Sequence, residues 1–217
     1  DVQKLLKKMT LREKLAQMTQ LDSSFHNAQG SGELTGPLHA MQITEEDVAA
    51  CGTVLGGIGA AFTRSIQEKH LAADRLKIPV LFMLDVIHGF RTIFPVPLAI
   101  GCTWDPALAE ESARIAAREA TASGVHVNFS PMVDLVRDAR WGRVMESTGE
   151  DPLLNSLFSA AFVRGYQGDD LKAPEHMAAC VKHVAAYGAA EAGRDYNTVE
   201  IGEYALREYY FPAYEAA

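Results

Sequence analysis

Ile78–Leu84 (IPVLFML), followed at once by Asp85–Arg91 (DVIHGFR), is the stretch on which the fold turns. An unbroken apolar run has no polar face to show to water. It is the pattern of a strand covered on both sides, which is the environment of a parallel sheet. The run stops abruptly at a carboxylate, so whatever lies at that strand end has to accommodate a charge.

Working outward, the same grammar repeats. Downstream, Asp105-Pro106 is an N-cap followed by proline at the first helical position, opening an Ala/Glu/Arg-rich helix that Gly124 ends near Ser123. The next strand lies within Val125–Leu135, Asp151-Pro152 opens a helix over 152–166, Ala178–Val184 reads as a fourth strand and Glu200–Ala217 as a last helix. Upstream, residues 64–75 read as a helix and Gly52–Leu55 as a short buried strand. Thr10-Leu-Arg-Glu13 is a capping box that starts an amphipathic helix, with Leu11, Leu15 and Met18 on its apolar face. Residues 22–48 are polar, Gly-rich and aperiodic, and read as a long loop with one helical turn near Thr44. Strands alternating with helices predict a parallel α/β sheet, where chemistry collects at the C-terminal strand ends.

Each strand end carries polar residues. Asp85 caps the first long apolar run, and a buried carboxylate needs a cation, hydrogen-bond donors or a ligand; a salt bridge to Arg91 is the structural alternative to a site. The third strand region, NFSPMVDLVRDARWGRVMES, holds Asp134, Arg137, Asp138, Arg140, Arg143 and Glu146. Arginines interleaved with acids form networks that brace loops, but a planar guanidinium also suits recognition of hydroxyls or a carboxylate. At least one of the three is expected to face a cleft. The fourth strand ends at Lys182-His183. Successive side chains of a strand point to opposite faces, so both reach one pocket only if the pleat breaks there. A lysine paired with a core acid and a histidine bonded to a carbonyl is the structural alternative.

Composition removes several classes. The chain has 217 residues, 48% of them hydrophobic and 22% charged, enough for one sizeable core, and its net charge of −8 offers no basic stripe for nucleic acid. No apolar run reaches the about 18 residues of a membrane span, and no signal peptide is visible. Cys51, Cys102 and Cys180 are odd in number and far apart, with neither disulfide nor zinc spacing, and read as buried small hydrophobes. His126 reads as a satisfied core histidine, and Trp104 and Trp141 as packing residues. No phosphate loop, HExxH, GxSxG or Cys/His nucleophile signature is present.

Taken as ordered motifs, LREKLAQM, IPVLFMLDVIHGFRTIFPVPLAIGCTWD, NFSPMVDLVRDARWGRVMESTGEDP and VKHVAAYGAAEAGRDYN resemble the N-terminal barrel of family 3 glycoside hydrolases, the β-glucosidase group, from about residue 9 to the end. The resemblance implies a (β/α)8 TIM-type barrel with a sugar site at its C-terminal face. Of that barrel the 217 residues represent about the first half plus an N-terminal helix, a single partial domain over 1–217. It also implies that Asp85 grips sugar hydroxyls in subsite −1, that Arg91 lines the same pocket, and that Arg143, Lys182 and His183 bind the other hydroxyls. Arg194 corresponds to an arginine near that pocket. In family members the peptide joining such a Lys-His pair is often cis, which would place both side chains on one side, so a cis Lys182–His183 bond is expected.

The family mechanism retains configuration through a glycosyl-enzyme and needs two carboxyl groups about 5–5.5 Å apart. The nucleophile is an Asp in a Ser-Asp-Trp/His motif; no Ser-Asp occurs here. Both the nucleophile and the acid/base are expected beyond Ala217, so the chain alone is expected to be inactive. The N-acetylglucosaminidase-type loop with Pro-Gly-His is not present, which favours glucoside-type substrates. β-Xylosidase specificity and a noncatalytic carbohydrate-binding or scaffold fragment are the alternatives. No cofactor or metal is implied. The expected partners are a β-glucoside or oligosaccharide, the missing half of the barrel with a second domain, and, because an open half-barrel exposes sheet edges, a second copy. Neither nucleic acid nor membrane is expected, and the family implies a periplasmic or secreted compartment.

Overall fold

A computed structural model describes residues 2–26 and 42–217. The chain forms two compact units, residues 1–84 with 123–126, and residues 85–122 with 127–217.

The first unit carries a parallel sheet of three short strands, β1 (Gln20–Asp22), β2 (Thr53–Leu55) and β3 (Leu81–Leu84). Leu21 pairs with Val54 and Val54 with Phe82, so the apolar positions stack in register. Their side chains join Cys51, Ile66 and Val80 in a core closed by α4 (Ala60–Ala73). Gln67 and His70 on that helix satisfy backbone the sheet leaves open: Gln67 bonds both polar groups of Val80, and the His70 ring bridges the carbonyls of Ala49 and Ile78. Before β1 lie α1 (Val2–Lys8) and α2 (Leu11–Gln17), and α3 (Glu45–Ala50) precedes β2. The expected capping box at Thr10 is present, and a second one, Thr44 with Asp47, starts α3.

Three features of this unit depart from the sequence reading. The strand β1 is not foreseen, because three residues are too few to show alternation, and only its last residue, Asp22, falls in the stretch 22–48 read as a loop; the centre of that loop, 27–41, lies outside the described residues. Leu11, Leu15 and Met18, the apolar face of an amphipathic helix, are 72%, 56% and 84% exposed. Periodicity identifies an apolar face but not what covers it. Helix α2 is fastened by other means, a two-bond Arg75–Glu13 pair and the approach of Gly52 to the Gln17 backbone. His126 is held by the Phe82 N–H yet faces solvent.

The second unit contains α5 (Pro97–Gly101), α6 (Pro106–Ala122), β4 (Val127–Asn128), α7 (Pro152–Gln167) and β5 (Ala178–Ala179). It ends in a helical stretch, α8 (Glu203–Ala205), a π-turn (Leu206–Tyr210) and α9 (Phe211–Ala216). Helix α7 begins as expected, with Asp151 accepting the Leu154 N–H. Helices α6 and α7 pack closely because α6 presents Ala109, Ala113, Ala116, Ala117 and Ala120, all buried, and α7 presents Gly165. The strands are shorter than the apolar runs: β4 and β5 pair in parallel over two residues each, and the partnership resumes at a Met132–Lys182 bridge. Ser130–Pro131 and Lys182–His183 are both cis, the second as expected. Cys102 is exposed and Cys180 half-buried, so only Cys51 is the buried hydrophobe expected of all three. Among the described residues no helix is long and apolar enough to cross a membrane.

A Cβ on Gly165 would stand 2.3 Å from the Glu110 carbonyl and 2.6 Å from Ala113 Cβ. The Gly165→Ala variant is expected to force α6 and α7 apart and lose about 1–3 kcal/mol of stability. Denaturant titration of the two forms measures this.

Candidate active site

The candidate site is assembled within the second unit. Its base is a backbone clamp on Val86, the residue after Asp85. The buried Asn128 accepts the Val86 N–H at 2.8 Å and donates to its carbonyl at 3.0 Å, and the Tyr166 hydroxyl donates to the same carbonyl at 3.0 Å. Asp85 is therefore carried on rigid chain although its side chain is 51% exposed.

Lys182 reaches it from the other end of the unit. Its Nζ donates to Asp85 Oδ1 at 2.5 Å, with the lysine side chain only 11% exposed. Backbone bonds from Lys182 N to Pro131 O and from Val133 N to Lys182 O fix that segment alongside the 131–133 chain. The next residue, His183, turns to Asp134. The Asp134 carboxylate has 0% side-chain exposure, and its Oδ2 accepts both the His183 backbone N–H at 3.1 Å and Nδ1 at 2.7 Å. The Tyr214 hydroxyl donates to the His183 carbonyl at 2.5 Å; burial, with the Asp134 charge added, raises the pKa of that phenol.

Arg143 completes the group. Its Nε and Nη2 bind both oxygens of Glu146, at 2.6 and 2.7 Å, which leaves Nη1 facing His183 Nε2 at 3.5 Å. Tyr187 packs its ring edge-on against His183 and under the Arg143 guanidinium. Burial pushes the Tyr187 phenol up to about 12, with the nearby Asp195 carboxylate adding to it. Burial pushes the Glu146 carboxyl up as well, but the Arg143 bonds, helped by the charges of Arg143 and Lys182, outweigh it and hold Glu146 below its ordinary value.

Of the six residues singled out in the sequence, the structure brings four together: Asp85, Arg143, Lys182 and His183. Arg91 and Arg194 are exposed, and among the described residues neither guanidinium makes a hydrogen bond or ion pair, although, after the Thr92 hydrogen bonds, the Arg91 charge helps to lower the Glu119 carboxyl. At Arg91 it is the backbone that is held, its N–H and that of Thr92 both donating to Glu119. Asp85 pairs with Lys182 rather than with Arg91, the alternative open at the sequence level. The other two arginines brace, Arg140 on Asp138 and Arg137 over the Tyr209 ring. Asp134 and Glu146 were visible only as members of an acidic and basic cluster. The signal that distinguishes Asp134 is its setting in Pro131–Leu135, where burial of a lone carboxylate demands a partner.

The chemistry follows from the charge balance. Three carboxylates, Asp85, Asp134 and Glu146, stand against two permanent cations, Lys182 and Arg143, and each cation is already paired. Such a site does not attract an anion. It offers separate donors (Lys182 Nζ, Arg143 Nη1) and acceptors (Asp85, the His183 ring), the array a neutral polyhydroxyl ligand requires.

The chain belongs to glycosyl hydrolase family 3: the model of that family's N-terminal domain, a TIM-type barrel, matches residues 10–217. The chain forms part of such a barrel. It is 53% identical to the β-glucosidase of Listeria innocua, with a TM-score of 0.93, over 100% of this chain and 30% of that one. Structures of the Listeria enzyme include complexes with glucose and with isofagomine. The periplasmic β-glucosidase of Salmonella typhimurium is 35% identical over 98% of this chain and 26% of its own length. A β-xylosidase of Formosa agariphila is 37% identical over 67% of this chain. The chain thus spans about a third or less of the relatives it matches.

Because the folded-state pKa of Glu146 lies below its ordinary 4.5, the Arg143–Glu146 pair contributes fully above that pH and is lost as pH falls through the lowered value. Denaturant titrations between about pH 6 and about pH 3 are expected to show a smaller acid-induced loss in Glu146→Gln than in the unsubstituted protein, because the variant already lacks the charge pair at neutral pH.

Proposed function

We propose that this chain supplies the subsite −1 sugar-binding part of a β-glucosidase that hydrolyses terminal, non-reducing β-D-glucosyl residues with retention. The observation that carries the reading is the paired cluster at Lys182: an ammonium, a carboxylate, an imidazole and a guanidinium, all neutralised and all gathered at the ends of neighbouring chain segments. Asp85, half exposed with one oxygen committed to Lys182, receives sugar hydroxyl hydrogens. Lys182 and Arg143 donate to hydroxyl oxygens. Arg91 and Arg194, both exposed, are assigned to the edge of the same pocket.

The retaining reaction needs a carboxylate nucleophile and a second carboxyl as acid/base. No Ser-Asp sequence occurs in these 217 residues, so both groups are assigned to chain beyond them, within the partial barrel's missing half and a second domain. The likeness to the periplasmic enzyme of Salmonella supports a periplasmic or secreted compartment. The Formosa relative supports xyloside hydrolysis as a second reading. The two separate on the outer hydroxymethyl group, which only the glucoside has.

Two assays test this. The 217-residue chain is expected to show no turnover of an aryl β-glucoside, while the full-length protein containing it turns over the glucoside faster than the xyloside. In the full-length protein, Lys182→Met and Asp85→Asn are each expected to cut kcat/KM by at least about 10- to 100-fold, the worth of one charged hydrogen bond. Turnover by the isolated chain, or variants with unchanged kcat/KM, would refute the assignment.

A further inference from the structure

We propose that Asp134 is a positioning residue that holds the His183 imidazole as its Nδ1–H tautomer, so that Nε2 meets the ligand as a hydrogen-bond acceptor. The proposal rests on the reading of the cluster as a sugar-hydroxyl site and deepens it.

Both sides of the ring lead to the same tautomer. On one side, Asp134 Oδ2 lies 2.7 Å from Nδ1 while also accepting the His183 backbone N–H. A carboxylate is an acceptor only, so Nδ1 carries the hydrogen. On the other side, Nε2 faces Arg143 Nη1 at 3.5 Å, and a guanidinium only donates; the separation is too long for a strong bond, so the single Nε2 lone pair is left for a ligand hydroxyl to take. A hydrogen on Nε2 would point at another hydrogen. Arg143 is not free to swing aside, since its Nε and Nη2 are bound to Glu146. The edge-on Tyr187 ring, 4.8 Å from the imidazole centre to centre, fixes the ring plane.

The placing of Asp134 is costly for any purely structural role. It is wholly buried, its Oδ1 has no partner among the described residues, and the hydrogen bonds its Oδ2 makes among those residues go to His183. The consequence is a division of labour within the cis pair. Lys182 presents a donor and His183 an acceptor, so a ligand hydroxyl can accept from one and donate to the other.

The test uses the full-length protein, with Asp134→Asn, His183→Ala and the double variant assayed on an aryl β-glucoside. If Asp134 acts through His183, each single change lowers kcat/KM by about 10- to 100-fold and the double variant is no worse than His183→Ala. Losses that multiply, or a folded Asp134→Asn with unchanged kcat/KM, overturn the proposal. A second arm needs no change at Asp134. Long-range ¹⁵N–¹H spectra of the histidine-labelled protein, with His183 assigned by its loss in His183→Gln, are expected to show Nδ1–H and an unprotonated Nε2. An Nε2–H tautomer or a doubly protonated ring overturns it. If the unsubstituted full-length protein hydrolyses no β-glycoside, the sugar-site reading fails, and the spectra still decide the role of Asp134.

Discussion

The ion pair between Lys182 and Asp85 is the constraint on which the site depends. It joins residues 97 positions apart, with the ammonium largely withdrawn from water. An unpaired buried lysine would either lose its proton or destabilise the fold, so the segments carrying Asp85 and Lys182 have to meet within the second unit. That meeting places a donor and an acceptor side by side and leaves no net positive charge for an anion to exploit.

The rest of the second unit makes the meeting rigid. Asn128 and Tyr166 hold the backbone next to Asp85, and the 131–133 and 180–183 segments hold each other around Lys182. Asp134 and Tyr214 then grip His183 by its ring, its amide and its carbonyl. Each of the four gathered groups, Asp85, Arg143, Lys182 and His183, is thus backed by a buried or half-buried partner. That is the condition for recognising a flexible polyol without ordering the protein at each binding event.

Much of this was legible in the residues, and the reasons differ from element to element. IPVLFML announced a buried strand because it has no polar face, and Asp105-Pro106 and Asp151-Pro152 announced helices because their side chains and ring geometry suit a first turn. Lys182-His183 stood out because two cationic side chains do not belong at a buried strand end. Less was visible where the deciding contact is distant in sequence. Nothing local says that Asp85 meets Lys182 and not Arg91, or that Asn128 is spent on Val86. The strand read over Ala178–Val184 was overestimated, since β5 spans only Ala178–Ala179, because an apolar run marks burial and not ladder hydrogen bonds. The apolar face of α2 was legible from its periodicity, but its exposure was not.

The most direct measurement is a crystal structure of the full-length protein soaked with glucose. The account predicts the sugar ring in the cleft beside Lys182, with hydroxyls within hydrogen-bond distance of Lys182 Nζ, Asp85, His183 Nε2 and Arg143 Nη1. A sugar bound elsewhere while this cluster stays intact and empty would contradict it.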